Sequence, residues 1–286
     1  MATGNKPRAA KVGRLGKLLA RLPSSCPLLY PLYLAAQLDT VEDVYPSPLL
    51  PKAFDGWRIA FVTDVHYGVL LGADRVRALA DRVNAWQADL VLLGGDYGED
   101  AQTTLEFWRM RPGFQARVCA VGTVGNHDRT PPEALLGQIA DAMRADGVHP
   151  LINDAMVLKK DGASLALASV DDVFNGQPDL EKTARLCQGA DFTVFFPHNP
   201  DILPKTYEMP GGPFFQLALC GHTHGGQVAL LGHSLRSSSD YGDRYRSGWY
   251  RENGVDILVS NGVGTSALPV RFGARPQVHL ITLKRA

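Results

Sequence analysis

From residue 57 onward, short apolar runs alternate with longer stretches in which apolar positions recur at helical spacing. Residues 57–63, 90–93 and 118–124 are runs rich in β-branched side chains, and they predict strands buried on both faces. Residues 73–86, 103–110 and 132–145 carry an apolar stripe and predict helices. The alternation is that of a buried sheet covered by helices. The second half holds more strands: residues 155–158, 164–170, 192–196, 214–219, 227–230, 256–259 and 278–283 all read so, with helices at 179–187 and 202–207. Two sheets packed face to face, with helices outside, accommodate this count. Residues 232–254 are polar and rich in Ser, Gly, Tyr and Arg, and predict a long surface loop of the kind that often carries function.

The N-terminal region follows a different pattern. Pro46, Pro48 and Pro51 punctuate the chain, which places a boundary near Lys52: an arm over residues 1–52 and a catalytic domain over residues 53–286. Lys6, Arg8, Lys11, Arg14, Lys17 and Arg21 are basic, and no acidic residue occurs before Asp39. On a helix, Val12, Leu15, Leu19 and Leu22 fall on one side and Arg14, Lys17 and Arg21 on the other. The apolar segment at 27–36 is broken by prolines and far below the ~20 residues a membrane span needs. Three readings compete: a helix lying on an anionic membrane surface through residues 8–36, a poor secretory signal, and a basic tail packed on its own domain.

Net charge is zero at pH 7, so no overall field attracts nucleic acid, and no basic stripe interleaved with aromatics occurs outside the arm; no nucleic-acid partner is expected. Cys26, Cys119, Cys187 and Cys220 form no C-x-x-C pair and read as reduced thiols. The expected location is therefore the cytoplasm, with the arm able to hold the protein on the inner membrane face.

The chemistry lies at the strand ends. Five apolar runs lead directly into polar clusters: Asp64 and His66, Asp96, Asn126-His127-Asp128, His198, and His222-Thr-His224. Ligands in open α/β sheets bind outside the carboxyl ends of the strands, so five such tips aim their polar groups at one crevice. Crowding carboxylates and imidazoles there is unfavourable unless a cation fills the gap. Imidazole with carboxylate suits Zn, Mn or Fe. Six or seven ligands exceed one tetrahedral ion and fit two ions sharing a carboxylate, an arrangement that cleaves phosphate esters.

Asp64-Val-His66, Gly95-Asp96, Gly125-Asn-His-Asp128, His198 and Gly221-His-Thr-His-Gly-Gly-Gln227, taken in order, resemble the calcineurin-like metallophosphoesterases across residues 57–283. The last motif, with the tail from Val259 through Arg271 to Gly273, resembles the YkuE-like bacterial branch, which includes enzymes acting on phosphodiesters and lipid-linked pyrophosphates. The resemblance implies an α/β/β/α four-layer sandwich with two mixed sheets, and a phosphorylated small-molecule or lipid substrate hydrolysed by a metal-bridging hydroxide. It implies that Asp64, His66 and His224 hold one divalent ion, that Asn126, His198 and His222 hold the other, and that Asp96 bridges them. It leaves His127 to contact the phosphoryl group or protonate the leaving group. Many relatives carry an Asp three residues beyond the bridging Asp; Glu99 and Asp100 stand there instead, as candidate orienting carboxylates for His127. The alternative function is a scaffold that keeps the fold without catalysis, which should have lost ligands.

Further candidates have plainer readings. Arg236, Arg244, Tyr245 and Arg246 could grip phosphate or form a solvated loop, Asp171-Asp172 could steer a ligand or make a turn, and Arg271 receives no role.

Overall fold

The computed structural model describes residues 21, 28–68 and 71–286. Its elements, in chain order, begin with α1 (Tyr30–Ala35), β1 (Asp39–Ser47), β2 (Arg58–Val62), α2 (Ala73–Ala85), β3 (Leu90–Leu93), α3 (Ala101–Arg109), β4 (Cys119–Gly122), α4 (Leu135–Ala145) and β5 (Val148–Pro150). The second half adds β6 (Asp154–Lys160), β7 (Ala163–Ser169), α5 (Leu180–Cys187), β8 (Phe192–Phe195), α6 (Leu203–Tyr207) and β9 (Leu217–Cys220). The short β10 (Ala229–Leu230) and β11 (His233–Ser234) then pair as a hairpin, followed by β12 (Gly248–Glu252), β13 (Val255–Val259) and β14 (Gln277–Arg285).

Two six-stranded sheets result, ordered β1-β14-β2-β3-β4-β5 and β12-β13-β9-β8-β7-β6. Each has a parallel centre, β2 to β5 in the first and β13-β9-β8-β7 in the second, with antiparallel pairings at β14·β2, β12·β13 and β6·β7. The period-2 alternation of side chains builds the layers. Ile59 and Phe61 of β2, with Leu90 and Leu92 of β3, join Leu165, Leu167, Phe192 and Val194 between the sheets. Their neighbours Ala60, Val62, Val91 and Leu93 face outward beneath Val76 and Leu79 of α2 and Ile139 and Met143 of α4. In the second sheet the large Leu165 and Leu167 point in, while Ala166 and Ala168 point out to Ile202 and Leu203. The expected α/β/β/α sandwich with two mixed sheets is what the chain forms.

Residues 39–47, assigned from sequence to the arm, are instead the edge strand β1, parallel to the C-terminal β14 from Asp39↔Gln277 to Ser47↔Arg285. Sheet structure thus begins before the boundary placed near Lys52. The acidic positions and Pro46 disguise it, yet both are ordinary on an edge strand with one face in water. The loop expected at 232–254 likewise contains the edge strand β12. The amphipathic helix expected over residues 12–22 lies outside the described residues, apart from Arg21. Among the described residues, no helix is long and apolar enough to cross a membrane, and Cys119, Cys187 and Cys220 are free thiols.

Candidate metal centre

Every parallel strand that ends in a polar cluster ends on the same side. β2 delivers Asp64 and His66, β3 delivers Asp96, β4 delivers Asn126 and His127, β8 delivers His198, and β9 delivers His222 and His224. All are buried except Asn126 and His127, which are half-buried. The donor atoms assemble as three overlapping groups, Asp64/His66/His224, His66/Asp96/His127 and Asp96/His198/His222, each within 4.8 Å. Asn126 joins the third group, with Oδ1 2.9 Å from His222 Nδ1. Every expected ligand therefore reaches the crevice.

The turns that place them are tight. Asp64, His66, Asp96, His222 and His224 all have positive φ, between 48° and 69°. Such backbones cost of order 1–3 kcal/mol each and persist only where the surroundings over-determine them. Here the Asp64 N–H donates to Gly95 O at 3.0 Å, the His66 N–H donates to Asp96 O at 3.0 Å, and the His222 N–H donates to both Asp64 oxygens at 3.0 and 3.1 Å. Gly125 and Gly221 supply close approach. A Cβ at Gly125 would collide with Asp96 Oδ1 and the His198 ring, and one at Gly221 with Asp64 Oδ2.

The donor set fits a pair of divalent cations. His66 Nε2 and His224 Nε2 face each other at 3.0 Å, His224 Nε2 lies 3.5 Å from Asp64 Oδ1, and His198 Nε2 lies 3.2 Å from Asp96 Oδ2. Two ligands of one cation at ~2.0–2.1 Å stand roughly 3.0–3.4 Å apart, so these are the spacings of neighbouring ligands. His198 anchors its Nδ1 on Gly94 O at 2.8 Å and leaves Nε2 buried with no hydrogen bond of proper geometry; His66 Nδ1 is also without one. The lone pair of His198 Nε2, buried without a donor, costs free energy unless a cation takes it. Burial pulls His66 down to about 3, His222 to about 4 and His224 well below the ordinary range, keeping those lone pairs free. Burial works against both members of the Asp96–His198 pair. Their mutual attraction still holds Asp96 well below the carboxylate range and lifts His198.

His127 sits at the rim, its ring 4.8 Å from that of His66 and edge-on to it. Its main-chain N–H donates to Asp96 Oδ1 at 2.9 Å, and its ring Nδ1 lies 2.8 Å from the main-chain oxygen of Glu99. The group that orients the ring is thus a backbone carbonyl, which corrects the carboxylate expectation. The Asp100 side chain caps α3, accepting from Thr103 N at 2.8 Å. Glu99 contributes through its peptide, and burial pushes its own carboxyl up to about 7.

Several supports carried no assigned role in the sequence. Asp128, the last residue of the Gly-Asn-His-Asp motif, accepts from the backbone of Asp96 (2.7 Å), Tyr97 (3.0 Å) and Gly125 (2.8 Å) and from Thr104 Oγ1 (2.6 Å). It ties the β3 and β4 tips together. Arg271 is fully buried. Its guanidinium donates to His224 O at 2.6 Å, to Asn261 O at 2.7 Å and to Gly264 O, and lies 2.9 Å from His224 Nδ1. Ser266 Oγ stands 3.5 Å from His127 Nε2. Asp171 pairs with Arg129 at 3.0 Å and Asp172 closes a turn, whose Asn175 donates to Asn126 O at 2.8 Å. Of the loop cations, Arg244 is engaged by Glu252, which also takes the Tyr245 hydroxyl, and Arg246 donates to Gly225 O. Arg236 is exposed.

A family model for calcineurin-like phosphoesterases matches residues 58–262. The chain belongs to that family. It is a metal-dependent phosphoester hydrolase whose cofactors are two divalent metal ions. It is 30% identical over 251 residues to the uncharacterized metallophosphoesterase YkuE of Bacillus subtilis (strain 168), covering 86% of each chain. It is 28% identical to the phosphodiesterase YaeI of Escherichia coli (strain K12), covering 79% of this chain and 82% of that one. A transmembrane protein with metallophosphoesterase domain from Danio rerio is 25% identical, over 94% of this chain and 63% of the other.

Proposed function

We propose that this enzyme hydrolyses a phosphodiester or pyrophosphate whose phosphate is attached to a lipid, while associated peripherally with a membrane. The observation that carries the hydrolytic part is the trio of overlapping donor groups joined through His66 and Asp96. Asp64, His66 and His224 would hold one divalent ion and Asn126, His198 and His222 the other, with Asp96 within reach of both donor groups. Ions held there would supply positive charge for the phosphoryl oxygens and make water a stronger nucleophile near neutral pH. His127, fixed through Nδ1 on Glu99 O, presents Nε2 at the rim, where it can hydrogen-bond the phosphoryl group or give its proton to the departing oxygen. Ser266 is within reach of that same nitrogen. The lipid part is supported by the acid-free, basic N-terminal sequence and by the membrane protein among the relatives. The diester part is supported by the phosphodiesterase relative. A non-catalytic scaffold is disfavoured because no expected ligand is missing.

The test is turnover of an artificial bis-aryl phosphodiester by the Mn²⁺-loaded protein. Asp96→Asn should lose metal and activity together. His127→Ala should keep its metal and lose about 10²–10⁴-fold in kcat. Loaded protein inert on phosphate mono-, di- and pyrophosphate esters alike would overturn the assignment.

A further inference from the structure

Two loops border the metal centre, and both carry leucines in open water. The first runs from Gln227 to Ser238, whose carbonyl lies 3.2 Å from His222 Nε2. It exposes Leu230 (55%), Leu231 (93%) and Leu235 (72%). The second passes Ser266, next to His127, and exposes Leu268 (63%) and Phe272. They are stitched into one unit: Ala229 N–H donates to Phe272 O at 2.7 Å, Phe272 N–H donates to Gln227 O at 2.9 Å, and Gln227 Nε2 donates to Leu268 O at 3.1 Å.

The N-terminal segment joins the same unit. The ring of Tyr30 meets that of Phe272 edge-on at 6.4 Å, and Arg271 N–H donates to Pro31 O at 2.9 Å. Leu28, two residues earlier, is 89% exposed. Single exposed apolar side chains are ordinary, whereas a connected band of them around a catalytic crevice marks a surface that something covers. The sequence entering this band through Leu28 carries six cationic side chains between Lys6 and Arg21 and no acidic residue before Asp39. Apolar side chains flanked by such a run match an anionic lipid surface, where leucines enter the acyl boundary and cations meet the headgroups.

We propose that Leu230, Leu231, Leu235, Leu268, Phe272 and Leu28 form a docking rim that seats the enzyme on an anionic bilayer with the metal centre facing the headgroups. The rim makes the bilayer itself the source of substrate. This rests on the phosphoesterase reading only for what the crevice does once docked.

The experiment uses the full chain with vesicles of phosphatidylcholine alone and of phosphatidylcholine with phosphatidylglycerol. Pelleting is compared for the parent and the Leu231→Asp/Leu235→Asp/Leu268→Asp variant, with turnover of the soluble bis-aryl diester measured alongside. The parent should pellet with the anionic vesicles. The triple variant should lose at least about tenfold in partition while keeping its soluble turnover. Leu231→Asp alone, at a side chain almost wholly in solvent, gives the same comparison with no burden on folding. Equal pelleting of parent and variants would assign any membrane binding to the basic segment and overturn the rim. So would a parent that ignores both vesicles, or a parent dimer in gel filtration that the substitutions dissociate. Loss of soluble turnover in the parent strikes the phosphoesterase reading, while the pelleting comparison still decides the docking.

Discussion

Gly125→Ala tests the convergence of the strand tips with a single methyl group. The residue's φ lies outside the left-handed region, so alanine is compatible with the backbone and the perturbation is steric. A Cβ there would stand 2.7 Å from His198 Cδ2 and Nε2, and closer still to Asp96 Oδ1. None of these can retreat freely. His198 is anchored on Gly94 O and Asp96 Oδ1 holds the His127 N–H. Overpacking of this kind costs about 1–3 kcal/mol, reduced by the ~0.4–1 kcal/mol that alanine gains from a less flexible unfolded chain. At roughly 2 °C per kcal/mol, the lower end of the range for large domains, the net cost should lower the melting temperature by up to about 5 °C. The functional loss should be larger, because ligands displaced by ~1 Å cost of order 10²-fold in rate. Elemental analysis after Mn²⁺ loading should show the His198 and His222 site emptied first, and diesterase turnover should fall in parallel. Gly137→Ala is the control. It lies in α4 with nothing within 4 Å of the added carbon, and should stabilise the protein by about 0.5–1 kcal/mol. If Gly125→Ala kept both metals and parental turnover, Asp96 and His198 would not meet at that glycine.

Two further substitutions separate supports from ligands. Asp100→Ala removes the α3 cap and should cost about 1 kcal/mol in urea unfolding while leaving diesterase turnover unchanged; a collapse like that of His127→Ala would return the orienting role to the carboxylate. Arg271→Met strands the carbonyls of His224, Asn261 and Gly264, each worth about 1–3 kcal/mol when buried and unpaired, offset in part because a buried cation is removed. Burial already pulls that guanidinium down to about 9. The expected result is a net destabilisation in urea and weakened metal retention at the Asp64/His66/His224 site, which Arg271→Lys should partly restore. Unchanged metal content would make Arg271 a purely structural group.

The strands and the candidate ligands were legible from the chain because both signals are local. An apolar run such as residues 90–93 must be buried wherever it lies, and a polar group placed immediately after it must appear at the strand's end. Parallel strands then put all such ends on one side, which is why the sequence alone lets Asp64, Asp96, Asn126, His198 and His222 be expected to meet. The resemblance to a known family added an expected partition of these residues between two ions. Edge strands were hidden for the opposite reason: β1 and β12 bury one face only, so their patterns are diluted by polar residues and a proline.

What only the tertiary structure decided are the groups whose role depends on a distant partner. Glu99 orients His127 through a peptide carbonyl, and every residue has one, so side-chain identity could not single it out. Arg271 acts on carbonyls at 224, 261 and 264, and the exposed leucines at 230, 231, 235 and 268 become a band only when β10 is pinned against Phe272. A side chain's intrinsic chemistry is written in its own position; its partners are set by chain closure over long separations, which packing alone resolves.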